Sequence, residues 1–184
     1  MVDAPTISEF SARFAALSDE LGPANVRKVL QNASRLELPA GRNIIRDRMP
    51  VDSLYFILEG EADISVEESG RLIALGKVKA GEMLGEVSVL SGEMLASSTV
   101  ASATPVRLLR LKHQAFEDLI HSDRKIAKVL LRHLVDMLAH RLRTSTSVAS
   151  APVQVSAAAA APAPPPRPAP GGGRNWLSAF FGRS

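Results

Sequence analysis

Residues 38–66, LPAGRNIIRDRMPVDSLYFILEGEADISV, decide the fold. Short apolar runs, NII at 43–45, SLYFIL at 53–58 and ADISV at 62–66, are separated by Gly41, a charged turn around Asp47, and Gly60. Such runs are too short for helices and have the length of strands. RLIAL at 71–75 and PVRLLRL at 105–111 continue the pattern. Five or more short strands at this spacing predict a small β-sandwich or barrel.

On either side the apolar period becomes helical. Thr6 with Glu9 forms a candidate capping box, after which Phe10, Phe14 and Leu17 recur at helical spacing. Gly22 and Pro23 break that segment, and Val26, Val29 and Leu30 mark a second short helix. Beyond the strands, residues 113–120 read as a helix, and 123–143 as a longer one with Ser122 or Asp123 as its N-cap. On the long helix Ile126, Leu130, Leu134 or His133, Met137 and Arg141 fall near coiled-coil spacing. That stripe fits either a dimer seam or a face packed back on the chain's own strands. Arg124, Lys125, Lys128, Arg132, Arg141 and Arg143 read as a mildly positive, solvated surface.

The chain of 184 residues has room for one domain with extensions, and 46% hydrophobic residues suffice for a core. A net charge of +3 gives no electrostatic case for nucleic acid. With no cysteine there are neither disulfides nor thiolate metal sites, which fits a reducing cytosol. His113, His121, His133 and His140 are scattered, so no metal site is expected. Neither a P-loop nor a nucleophile–base pairing is recognisable, so the expectation is a protein that is not an enzyme. The start, MVDAPTISEF, does not read as a signal peptide, and no stretch reaches the roughly 18 apolar residues of a membrane span. A cytoplasmic location with peripheral membrane contact is the expectation.

Residues 148–173, VASAPVQVSAAAAAPAPPPRPAPGGG, change composition abruptly and read as an extended linker. Residues 174–184, RNWLSAFFGRS, gather Trp176, Leu177, Phe180 and Phe181 between Arg174 and Arg183. On a short helix these four would share one face, suited to an anionic membrane surface or a groove on a partner. The alternative is a terminus without a role.

A second stretch, GEMLGEVSVLSGEMLASSTV at 81–100, carries the candidate chemistry. Gly85 and Glu86 resemble the Gly-Glu turn of a phosphate-binding cassette, which implies a short helix whose backbone N–H donors face an anion. Ser88, Ser91, Ser97, Ser98 and Thr99 are either neutral donors to such an anion or a solvated loop.

Together these motifs resemble the cyclic-nucleotide-binding domain of bacterial regulators of the catabolite activator and Fnr type, over roughly residues 10–147. The resemblance implies an α+β fold: an eight-stranded antiparallel, jelly-roll-like β-roll. It adds N-terminal helices, a short cassette helix and a long C-terminal dimerisation helix. The implied organisation is a domain at 1–147, the linker at 148–173 and the terminal peptide at 174–184. The candidate nucleotide pocket comprises Gly85, Glu86, Val87, Ser88, Ala96 and Ser97. Glu86 matches the glutamate that binds a ribose hydroxyl, although it can equally cap its own turn. Ala96 stands where the family carries the phosphate-binding arginine, and losing that charge-assisted contact costs about 1.5–3 kcal/mol. Ser145 and Thr146 align with two hydroxyls that touch the base across the dimer; the plainer reading is an ordinary helix end. Ile126, Leu130, His133 and Met137 are the implied dimer positions.

The Ala/Pro stretch stands where relatives continue into a helix-turn-helix, so direct DNA binding is not expected. The expected function is a non-catalytic regulatory or scaffolding module with a degenerate phosphate site. It would form a homodimer and recruit a protein partner or membrane surface through its terminal peptide. The alternative is a genuine receptor for cyclic AMP, cyclic GMP or cyclic di-GMP. No cofactor is required, and a cyclic nucleotide is the one the resemblance admits.

Overall fold

The computed structural model describes residues 3–91 and 95–149, the side chains of 91 and 144–149 excepted. Residues 148 and 149, expected to begin the linker, are helical, whereas the rest of the linker and the terminal peptide, with Trp176, Leu177, Phe180 and Phe181, lie outside the described residues. Three short helices open the chain: α1 (Ala4–Arg13), α2 (Ala15–Leu21) and α3 (Pro23–Gln31). Strands β1 (Ala33–Leu38), β2 (Asn43–Ile45), β3 (Ser53–Glu59), β4 (Glu61–Glu68), β5 (Arg71–Lys79) and β6 (Met83–Leu84) follow. The cassette supplies α4 (Glu86–Ser91), and β7 (Thr99–Ser102) and β8 (Val106–Lys112) complete the strands before α5 (His113–Ser122) and α6 (Arg124–Ala149).

The eight strands form two four-stranded sheets, ordered β1-β8-β3-β6 and β2-β7-β4-β5, with antiparallel pairing throughout. This is the α+β roll that the resemblance implies, and a closed form of the small sandwich or barrel expected from the strand spacing. One sheet is covered on both faces, which explains why SLYFIL is apolar without interruption. Leu54, Phe56 and Leu58 of β3 face the helices, whereas Ile57 faces into the roll. β8 divides its side chains the same way: Leu109 and Leu111 face the helices, and Val106 and Leu108 face the other sheet. The helical layer is anchored by Phe10, Phe14 and Phe56, whose rings meet at 4.9–5.5 Å in stacked and edge-on pairs.

One local expectation changes and another is narrowed to one of its two alternatives. The first helix is capped by Asp3, whose side chain accepts the Thr6 N–H at 3.1 Å, rather than by a Thr6–Glu9 box. Pro5 in the first turn moves the start N-terminally, because its missing N–H costs nothing there. Asp123, not Ser122, caps α6, accepting from the Lys125 and Ile126 N–H groups at 3.0 and 3.2 Å. Its other oxygen takes a hydrogen bond from Lys28 Nζ at 3.4 Å, pinning the start of α6 to α3.

The dimer stripe also needs correction. Ile126 and Leu130 are fully buried in the core beneath α6, together with Val129 and Leu134, and Met137 packs against the same cluster. Packing against the chain's own roll takes that apolar face and leaves Ile126 and Leu130 no surface for a partner. His133 is half-buried in a small cleft with Leu17, Glu20 and Asp136. Among the described residues, the large apolar side chains that α6 exposes are Val135 and Leu142, two turns apart. Among the described residues no helix is long and apolar enough to cross a membrane.

Candidate functional site

Gly85 and the strand before it set the site. Met83 and Leu84 of β6 pair with Phe56 and Tyr55 of β3, and the chain then turns at Gly85 with φ of +85°. A Cβ at this position would stand 2.3 Å from the Ser53 carbonyl oxygen, so only glycine lets the turn lie against β3. The Gly85 carbonyl accepts the Val89 N–H at 3.1 Å and starts α4.

That turn places Glu86 and Ser88 on the inner side of the cassette, where both are 4% exposed. Ser88 Oγ donates to the Leu95 carbonyl at 3.2 Å, tying α4 to the chain beyond it. Ala96 is held by two backbone hydrogen bonds: its N–H donates to the Met49 carbonyl at 3.0 Å, and its carbonyl accepts the Arg48 N–H at 2.9 Å. It is buried among Ile45, Val51, Leu84 and Val100 in the interior of the roll. Asp47 N–H donates to Thr99 Oγ1 at 3.1 Å, fastening the same two segments further along.

Between these elements lies a small cavity of about 90 Å³, open at one side. Its walls include Ile45, Ile64 and Val100 from the roll, Gly85 to Ser88 from the cassette, and Ala96 to Ser98. Thus Gly85, Glu86, Val87, Ser88, Ala96 and Ser97 are brought together, as their grouping requires. Val87 and Ser97 are exposed at the rim, whereas Glu86 and Ser88 are deep. Ser145 and Thr146 lie within α6, which continues to Ala149 and so extends beyond the expected end at 143. Their side chains are outside the described set.

The residue missed by sequence reasoning is Arg141. It projects from α6 into this cavity, where Nη1 donates to Glu86 Oε1 and Nη2 donates to the Met83 carbonyl. Its side chain is 25% exposed, against 5% for that of Glu86, so the ion pair sits at the inner edge of the mouth. Read as part of a solvated basic surface, Arg141 is instead a pocket residue. A signal was present: it lies seven residues after Leu134, on the stripe that buries Ile126, Leu130 and Leu134. A guanidinium ending an apolar stripe needs a buried acceptor, and Glu86 supplies one. Burial pushes the Glu86 carboxyl above its usual range, and the Arg141 charge opposes that shift.

Residues 35–123 match the family described as Cyclic nucleotide-binding domain. The chain carries a cyclic nucleotide-binding domain. In sequence it is similar to a cyclic nucleotide-gated potassium channel of Mesorhizobium japonicum, 33% identical over 113 residues. That alignment covers 61% of this chain and 30% of the channel. The chain therefore spans less than a third of the length of the first curated relatives it matches. In structure it is similar to a cyclic nucleotide-binding domain from Methylobacillus flagellatus, with a TM-score of 0.71 and 22% identity. The match covers 77% of this chain and 83% of that one. The catabolite activator protein of Thermus thermophilus superposes with a TM-score of 0.61 and 25% identity, covering 72% and 61% of the two chains. Relative to the arginine expected at position 96, this cyclic nucleotide-binding domain has a smaller side chain there and a guanidinium entering from α6.

Proposed function

We propose that this chain is a non-catalytic regulatory module in which the cyclic nucleotide-binding pocket communicates its state to α6. The observation that carries this reading is the contact of Arg141, an α6 residue, with Glu86 and Met83 inside the pocket. A ligand that engages Glu86 must compete with, or include, a side chain of the helix that would transmit the signal. The cavity combines apolar walls with a few polar groups, the lining expected of a ligand site. Its chemistry favours binding over turnover, since Ser88 donates to a carbonyl rather than to a base and Glu86 is held by a cation. A channel relative named as cyclic nucleotide-gated supports a regulatory use of the fold. The output side of the proposal comprises self-association through Val135 and Leu142 and recruitment of a partner through the terminal aromatic peptide.

Calorimetric titration with cyclic AMP, cyclic GMP and cyclic di-GMP, combined with hydrogen exchange on α6, tests this reading. Binding of one of them should change amide protection over residues 135–143. Binding without any change on α6 would refute the coupling, and lack of binding by all three would refute the receptor assignment.

A further inference from the structure

We infer that Arg141 is the anion-binding group of this pocket, so that the positive charge absent at Ala96 is supplied by the C-terminal helix. This rests on the reading of the pocket as a nucleotide site. Three observations lead to it. Ala96 and Arg141 line the same cavity from different parts of the fold, one beside the roll's strands and the other on α6. Ala96 is zipped by backbone hydrogen bonds to residues 48 and 49, so its methyl group is fixed in the wall and leaves the centre unfilled. The guanidinium is already at the cavity, where one nitrogen is committed to Glu86 and another to the Met83 carbonyl.

Arginine suits this exchange because its planar fork presents five N–H donors in fixed directions. One edge can turn from Glu86 to the oxygens of a phosphodiester while the side chain remains at the mouth. Glu86, released from its ion pair, then accepts a hydroxyl donor from the same ligand. The carboxylate and the cation start paired and finish on two parts of one molecule. An anion bound in this way joins the cassette to α6, whereas a cation at position 96 would hold it on the roll alone.

The test uses the full chain and whichever of cyclic AMP, cyclic GMP and cyclic di-GMP the wild type binds most tightly. Arg141→Gln should weaken that affinity about ten- to hundredfold, the span of one charge-assisted contact, and Arg141→Lys should fall between. Adding Ala96→Arg to Arg141→Gln should restore affinity. Ligand-induced protection over residues 135–143 should not return, because the charge then sits on the roll. Circular dichroism and melting temperature report whether each variant folds. If Arg141→Gln fails to fold, Arg141→Lys and Ala96→Arg carry the comparison: Ala96→Arg should make affinity insensitive to Arg141→Lys. Equal affinity of wild type and Arg141→Gln overturns the inference while sparing the receptor reading. Tighter binding by Arg141→Gln also overturns it, identifying Arg141 as a plug. Absence of binding by wild type, Arg141→Gln and Ala96→Arg alike overturns the receptor reading and the inference together.

Discussion

Replacing Gly85 with alanine separates two reasons for a glycine in the cassette, room for a ligand or room for the fold. The added methyl group would stand 2.3 Å from the Ser53 carbonyl oxygen and 3.5 Å from Val51 Cγ1, on a backbone with φ of +85°. The left-handed conformation alone costs an L-residue about 1–2 kcal/mol. Relieving a backbone clash of that depth adds an overpacking cost of about 1–3 kcal/mol, since β3 lies between two sheet neighbours and cannot retreat freely. The lower entropy of the unfolded alanine chain returns about 0.4–1 kcal/mol. The net loss is about 2–4 kcal/mol, a large share of the roughly 5–15 kcal/mol that holds a domain together. Gly41→Ala is the matched control: φ is +79°, but nothing lies within 4 Å of its Cβ, so only the conformational cost applies. Urea denaturation without ligand should show Gly85→Ala unfolding about 1–2 M earlier than wild type, and clearly earlier than Gly41→Ala. Equal midpoints for the two variants would refute the reasoning and return Gly85 to a role in ligand approach.

Two further outcomes follow from the same geometry. Because burial raises the Glu86 carboxyl above 4.5, the folded state holds that proton more tightly than the unfolded chain. The stability of wild type relative to Glu86→Gln should therefore be greatest below that value and fall as pH rises through the raised folded pKa. Denaturation at a series of pH values checks this, and an advantage that grows with pH would mean that the Arg141 ion pair outweighs burial. Arg48 occupies the left-handed region at φ of 58° with its side chain 84% exposed, so Arg48→Gly should stabilise the domain by about 0.5–1 kcal/mol. An unchanged or lowered melting temperature would show that the Arg48 side chain contributes more than its strain removes.

The roll was legible in the sequence because strand length and turn chemistry are local properties. NII, SLYFIL, ADISV, RLIAL and VRLLRL all lie on strands, and Gly85 and Glu86 open a short helix as the resemblance implies. The long helix was legible as a helix but not in its role. Its apolar stripe has one period whether the partner is a second copy or the chain's own sheet, and only the three-dimensional return of α6 decides that Ile126 and Leu130 are core. The pocket was half legible for the same reason. Gly85 to Ser88 and Ala96 to Ser97 are close in sequence, whereas Arg141 is 55 positions from Glu86 and meets it through the packing of α6. Position 96 alone therefore gave an incomplete account of the site's charge.

The meeting of Arg141 with Glu86 ties the proposed ligand site to α6, and any coupling through it is reciprocal. α6 extends about 1.5 Å per residue over 26 residues, with Ile126 to Leu134 embedded in the core and Arg141 beyond them. Any partner that draws the far part of this rod from the cassette removes a wall of the cavity. If a cyclic nucleotide tightens the rod's hold by some factor, a partner binding the displaced rod must lose affinity for the occupied domain by that factor. With the cavity's guanidinium mounted on α6, sensitivity to such a ligand and resistance to such a partner would be one thermodynamic quantity. A change that sharpens one necessarily alters the other.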